Sequence, residues 1–299
     1  MPPAPPSLID VLQRGRERVI GAWDLGSAIV DPGPERRIAT LLAGLSQEPR
    51  ALLLTHIHLD HAGAAGALVE RFPALEVWVH EKGAPHLADP SRLLASAERI
   101  YGDEMEELWG RVLPVPEANL RVLEGGESVA AAGRRLDVVY TPGHASHHVV
   151  YFDRWDGTAY VGDVAGVRIP PSDFIRPPTP PPDIDVERWL DSIALVAERR
   201  PARLALTHFG MVDDPPPHLD QAAMRLREQA ALVRSLLDEH GDTPAAVAAF
   251  VEEVERRTRE AAGVETAGVF EVGAPVEQLW QGLRRYWLKK AERPEAAPA

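Results

Sequence analysis

The run Thr55-His56-Ile57-His58-Leu59-Asp60-His61 sets four side chains able to bind a metal within six positions, directly after the apolar stretch Ala51-Leu52-Leu53-Leu54. A short continuous apolar run of this kind reads as a strand buried on both faces, so a sheet must form around it with cover on both sides. The fold class is therefore α/β. Three imidazoles and a carboxylate then gather at the strand's carboxyl end, where such sheets carry their sites. Crowded there, they desolvate one another and compete for protons, and a divalent cation removes that cost by binding them together. The sequence contains no cysteine. Disulfides, thiolate zinc sites, iron–sulfur clusters and cysteine nucleophiles are excluded, and any metal is held by nitrogen and oxygen.

The surrounding pattern alternates strand and helix. Arg18–Trp23 and Ser27–Asp31 read as strands closed by the turn Pro32-Gly33-Pro34, followed by a helix over Glu35–Leu45. A helix over Gly63–Arg71 and a strand over Leu75–Val79 come next, then a helical insertion over Pro90–Gly110 that Gly102 weakens. Leu120–Leu123, Arg135–Tyr140, Val149–Phe152 and Thr158–Val161 read as short strands. Seven prolines between Ile169 and Asp185 exclude helix interior and central strand there, leaving a stiff loop that is either a spacer or the wall of a substrate pocket. Asp185 caps a helix over Val186–Arg199, and Arg203–Thr207 is the last core strand. Beyond His208 the pattern is helical, with Thr243-Pro244 starting one helix and Val276, Leu279, Trp280, Leu283 and Trp287 marking another. The expected division is a catalytic domain over 1–212 and an α-helical region over 213–299 that ends in a disordered Pro/Ala tail.

Further candidate ligands end later strands. Val138-Val139-Tyr140-Thr141-Pro142-Gly143 leads to His144, Ala159-Tyr160-Val161-Gly162 to Asp163, and Leu204-Ala205-Leu206-Thr207 to His208. Singly, His144 or His208 reads as a strand cap or a satisfied buried histidine. Five of the 11 histidines nevertheless share this strand-end placement. His56-x-His58-x-Asp60-His61, with Gly143-His144, Gly162-Asp163 and Thr207-His208, resembles the full ligand series of the metallo-β-lactamase-fold hydrolases over about residues 20 to 210. The resemblance extends to a functionally unassigned prokaryotic subgroup related to glyoxalase II and lactonase-type hydrolases.

That resemblance implies a four-layer αββα sandwich with a helical C-terminal region and two divalent metal ions, zinc first, with iron or manganese as alternatives. One ion would take His56, His58 and His144, the other Asp60, His61 and His208, with Asp163 bridging. Asp31 and His147 are expected behind the ligands, His147 and its neighbour His148 bonding core groups or contacting substrate. A hydroxide held between the ions would attack an ester, lactone or thioester, or a phosphoester, and Asp60 is the expected catalytic proton carrier. The alternatives are an iron-dependent non-hydrolytic oxidoreductase such as a sulfur dioxygenase, and a non-catalytic metal-binding interaction protein.

The 32 Lys plus Arg against 45 Asp plus Glu give a net charge of −13, which argues against nucleic acid and against the nuclease branches of this family. No apolar run is long enough for a membrane span and the start carries no signal-peptide pattern, so a cytoplasmic protein acting on a small molecule, as a monomer or homodimer, is expected. Arg284, Arg285, Lys289 and Lys290 read as complements to a helix C-terminus, and Trp280, Tyr286 and Trp287 as packing. His80 and His86 are expected to be structural or solvent-facing, His218 and His240 to lie at the surface.

Overall fold

The structure is a computed structural model that describes residues 3–292; the expected disordered tail lies outside the described residues. The first sheet holds β1 (Ser7–Asp10), β2 (Gly21–Asp24), β3 (Ala28–Val30), β4 (Ala51–Leu53), β5 (Glu76–His80) and β6 (Leu120–Leu123) in that spatial order. The first three strands are antiparallel, and β3 to β6 run parallel through helical crossovers. These crossovers contain α1 (Ile38–Gly44), α2 (Leu59–Ala62), α3 (Ala65–Arg71), α4 (Ala84–Ala88), α5 (Ser91–Tyr101) and α6 (Met105–Trp109).

The second sheet comprises β7 (Ser128–Ala131), β8 (Arg134–Tyr140), β9 (Val149–Asp153), β10 (Thr158–Tyr160), β13 (Arg203–Leu206) and β14 (Gly210–Val212), in the order β14-β13-β10-β9-β8-β7. A two-stranded ribbon, β11 (Val167–Arg168) with β12 (Ile175–Arg176), opens the proline-rich segment. Four helices complete the chain: α7 (Val186–Glu198), α8 (Pro215–His240), α9 (Pro244–Gly273) and α10 (Val276–Glu292).

Strand alternation explains the layering. Ala51 and Leu53 of β4 join Val30, Val138, Tyr151 and Tyr160 in a core drawn from both sheets, whereas Leu52 and Leu54 join a second core with helical residues such as Leu41 and Leu68. The Tyr151 hydroxyl crosses between the sheets to donate to the Leu54 carbonyl at 2.9 Å. Sheets packed face to face with helices outside give the expected αββα arrangement, and its shared edge is where β4, β10 and β13 all end.

Several local expectations change. The insertion is two helices, because Gly102 adopts φ +50° and ends α5. Strands β1, β7 and β14 lacked a clear apolar alternation in the sequence; each sits at a sheet edge, where one neighbour suffices to hold it. Asp185 caps α7 as expected, accepting from the Arg188 N–H at 3.1 Å. Two of the basic residues of α10 pair across the fold: Arg284 with Asp242, and Lys290 with Glu187.

His218 is not at the surface. It is 6% exposed on the first turns of α8, with Nε2 donating to the Ala165 carbonyl at 2.9 Å. Burial pushes its pKa down from 6.5 to about 4. The unfolded chain therefore takes up a proton below pH ~6.5 that the folded chain refuses until about 4, so stability is complete above that window and falls with acidification, by about 2 kcal/mol at pH ~5. The gap in unfolding free energy between neutral pH and pH ~5, read from urea denaturation, should shrink by that amount in His218→Gln, whose amide can keep the bond to Ala165 without titrating. An unchanged gap would place the acid sensitivity elsewhere.

Candidate metal centre

The seven residues converge at the shared sheet edge. His56 and His58 lie in the turn after β4, and α2 carries Asp60 and His61. His144, Asp163 and His208 follow β8, β10 and β13 from the second sheet. Their ligand atoms form two groups, His56, His58, His144 and Asp163, and then Asp60, His61 and His208, with the atoms of each group within 4.8 Å of one another.

In the first group, His58 Nδ1 lies 2.9 Å from His56 Nε2 and 3.0 Å from His144 Nε2. In the second, His208 Nε2 lies 3.3 Å from His61 Nε2 and 3.2 Å from Asp60 Oδ2. Asp163 spans the two groups: Oδ2 is 3.3 Å from His144 Nε2, and Oδ1 is 3.2 Å from His61 Nε2.

The opposite ring nitrogens are engaged by oxygen acceptors. His144 Nδ1 donates to the Pro178 carbonyl (2.9 Å), His208 Nδ1 to the Val19 carbonyl (2.6 Å) and His61 Nδ1 to Asp31 Oδ2 (2.8 Å). Thr55 commits its hydroxyl proton to Asp31 Oδ2 at 2.7 Å, so its oxygen accepts from His56 Nδ1 at 3.1 Å. In His56 and His144, neutral with the proton on Nδ1, Nε2 turns a lone pair inward.

His148 works from behind. Its Nδ1 donates to Thr141 Oγ1 (2.8 Å) and its Nε2 accepts from the Asp163 N–H (3.2 Å), which fixes the backbone that aims Asp163. Both nitrogens are used, which separates His148 from the ligand atoms.

Charge divides the site. Burial keeps His56 well below its ordinary pKa and pushes His144 down to about 4, so both are neutral near pH 7. Burial also opposes charge on His61, but Asp163, Asp60 and Asp31 outweigh it and hold that pKa well above the ordinary value. Asp60 is pulled down to about 2 because His61 and His208 outweigh its burial. Histidine nitrogens and carboxylates converging at these distances, with a buried Asp163 Oδ1 that accepts no hydrogen bond, fit divalent metal binding.

The model of the metallo-beta-lactamase superfamily matches residues 24–208. The chain belongs to this superfamily. A metallo-beta-lactamase fold-containing protein of Sulfurisphaera tokodaii is 30% identical over 164 residues, covering 54% of this chain and 60% of that one. A hydroxyacylglutathione hydrolase of a Synechococcus strain is 30% identical over 137 residues, 46% of this chain and 43% of that enzyme. The alignments thus span less than two thirds of these curated relatives. Among solved structures, an archaeal metallo-beta-lactamase superfamily protein from Sulfolobus tokodaii matches with a TM-score of 0.69 at 21% identity, covering 95% of this chain and 99% of that one. That likeness speaks for the fold.

A cavity of about 530 Å³ opens above the cluster, reached by His58, Asp60, Asp163 and His208. Three segments distant in sequence wall it: α5 and α6 with Leu93 and Trp109, the proline-rich loop with Pro178 and Pro180, and the α9–α10 junction with Val272 and Leu279. Of the two readings of the proline-rich loop, the structure selects the pocket wall. The Tyr101 hydroxyl donates to Gln278 Oε1 at 3.3 Å, joining the first wall to the third.

His147 faces this cavity. It is 8% exposed and lines the space, and its Nδ1 accepts from the Ile57 N–H at 3.4 Å, between two candidate ligands. No pattern in the sequence pointed to the Val19 and Pro178 carbonyls, because a backbone acceptor leaves no mark on residue type.

Proposed function

We propose that the protein is a dinuclear metal-dependent hydrolase of small-molecule esters, lactones or thioesters. The observation that carries this reading is the convergence of seven oxygen and nitrogen ligand side chains beside one cavity, which His58, Asp60, Asp163 and His208 line. The similarity to hydroxyacylglutathione hydrolase supports a thioester or ester over other linkages. Divalent cations bound there supply a water nucleophile at neutral pH and an electrophilic pull on the scissile carbonyl.

The chain's own groups do the rest. Asp60, with 22% of its side chain exposed, is reached from the cavity and is ionised. It accepts a hydrogen bond from the attacking water and orients it; its low proton affinity suits brief passage of the proton to the leaving oxygen or sulfur rather than storage. His147, neutral because burial lowers its pKa, carries its proton on Nε2 once Nδ1 is engaged, and can donate to the substrate's carbonyl oxygen.

Metal analysis followed by a thioester, lactone and phosphoester panel tests the reading. Zinc with turnover of a carboxylic ester or thioester supports it. Iron with oxygen uptake on a persulfide would replace it by the oxidoreductase, and a metal-loaded protein inert to every substrate would leave an interaction protein. In the active enzyme, His147→Ala should lower kcat about 100-fold at unchanged metal content, with partial recovery in His147→Gln, which retains a donor. Equal kcat in both variants and the parent would remove His147 from the reaction.

A further inference from the structure

We infer that the cavity accepts substrates bearing a carboxylate, received by Lys82 and Arg92 at its mouth while the scissile carbonyl lies over the ligand cluster; this rests on the hydrolase reading above. The chain carries 45 acidic against 32 basic residues, an excess of negative charge. At the cavity mouth the pattern breaks. Lys82, ahead of α4, and Arg92, on the first turn of α5, both line the cavity, both are exposed, and neither forms an ion pair among the described residues.

Lys82 is held in place without being neutralised. Its ammonium donates to the Tyr140 hydroxyl at 2.8 Å and lies 4.9 Å from the Tyr140 ring centroid. Tyr140 is itself fixed, donating to the Ser146 carbonyl at 2.8 Å and stacking on His80 at 4.4 Å. A neutral phenol thus positions a cation that keeps its full charge for a ligand.

Beyond the candidate ligands Asp60 and Asp163, two acids of the cavity are paired, Glu104 with Arg14 and Glu271 with Arg176, while Asp183 accepts from Ser146 Oγ at 2.6 Å and keeps its charge. Asp89, near Arg92 but outside the cavity lining, accepts from the Ser91 N–H at 3.0 Å. The lining thus carries two cations without ion-pair partners together with apolar Val272 and Leu279. This arrangement suits an acyl chain with an anionic end, and two exposed charge contacts correspond to about a tenfold preference that added salt screens.

The zinc-loaded protein is given the S-phenyl thioesters of glutaric acid, with its free carboxylate, and of pentanoic acid, which ends in a methyl group. The glutaryl thioester should show a kcat/KM about tenfold higher, with the advantage shrinking as potassium chloride rises from about 0.05 to about 0.5 M. The double substitution Lys82→Met with Arg92→Gln should abolish most of that advantage. An equal ratio in parent and variant, or a parent that prefers the pentanoyl thioester, overturns the inference. If neither thioester is cleaved, the hydrolase reading fails by itself and calorimetry of the matching anilides decides the inference. Glutaric monoanilide should bind about tenfold more tightly than pentananilide in the parent and not in the variant. A preference that survives in the variant would be carboxylate binding at the metal and would also overturn it.

Discussion

On the dinuclear zinc reading proposed above, replacing Asp163 by Asn should reduce bound zinc from about two ions per chain to one or none and lower kcat/KM on a thioester by at least ~1000-fold. Its two oxygens face different groups, Oδ2 His144 and Oδ1 His61, whereas an amide has a single acceptor oxygen and turns N–H protons toward the other side. The charge matters as much as the shape. Burial opposes ionisation of Asp163, yet His61, His144 and His208 hold its pKa well below the usual carboxylate range. Because its own N–H, and not its side chain, bonds His148, the substitution leaves the local backbone tether in place. Elemental analysis alongside circular dichroism separates metal loss from unfolding. Unchanged zinc content in a folded variant would refute the bridging assignment.

Asp31→Ala should cost about 3–5 kcal/mol of stability and weaken zinc binding a further 10- to 100-fold, although Asp31 belongs to neither ligand group. The carboxylate is fully buried, at φ +50°, and accepts from the Thr55 N–H (2.8 Å), Thr55 Oγ1 (2.7 Å), Thr207 Oγ1 (2.9 Å) and His61 Nδ1 (2.8 Å). Thr55 follows a strand of the first sheet and Thr207 a strand of the second, so one side chain ties the two sheets together beside the site. Its removal strands those donors in a dry environment. It also frees the Thr55 hydroxyl to turn and donate to His56 Nδ1, which would move the imidazole proton to Nε2, among the ligand atoms. Urea denaturation and zinc competition against a chelator measure the two effects. A stable variant with parental zinc affinity would show that the ligands are oriented without this network.

The two expectations differ in how far they could be read from residue order. Asp163 and the six histidine and aspartate partners announce themselves because each follows an apolar strand through a short turn, a local pattern. Asp31 ends an early strand in the same way, and the resemblance placed it near the metals. Its four donors come from two separated segments, the Thr55–His61 run and Thr207, and only packing brings them together. His218 shows the opposite error: on a polar-looking helix start it read as a surface residue, but the segment around Ala165 packs over it and closes it from water. A helical period predicts that one face is buried. It does not predict which neighbour buries it.

The sequence by itself determined the α/β class, the absence of thiolate ligands and the seven side chains at strand ends, since alternation and turn chemistry act over a few residues. Tertiary structure alone decided which ring nitrogen of each histidine turns inward, how Asp163 spans two groups, and that the α5–α6 insertion, the proline-rich loop and the α9–α10 junction enclose one cavity. Those features depend on hydrogen-bond acceptors and walls contributed from far along the chain, whose meeting is set by the packing of two sheets and their helices rather than by local propensity.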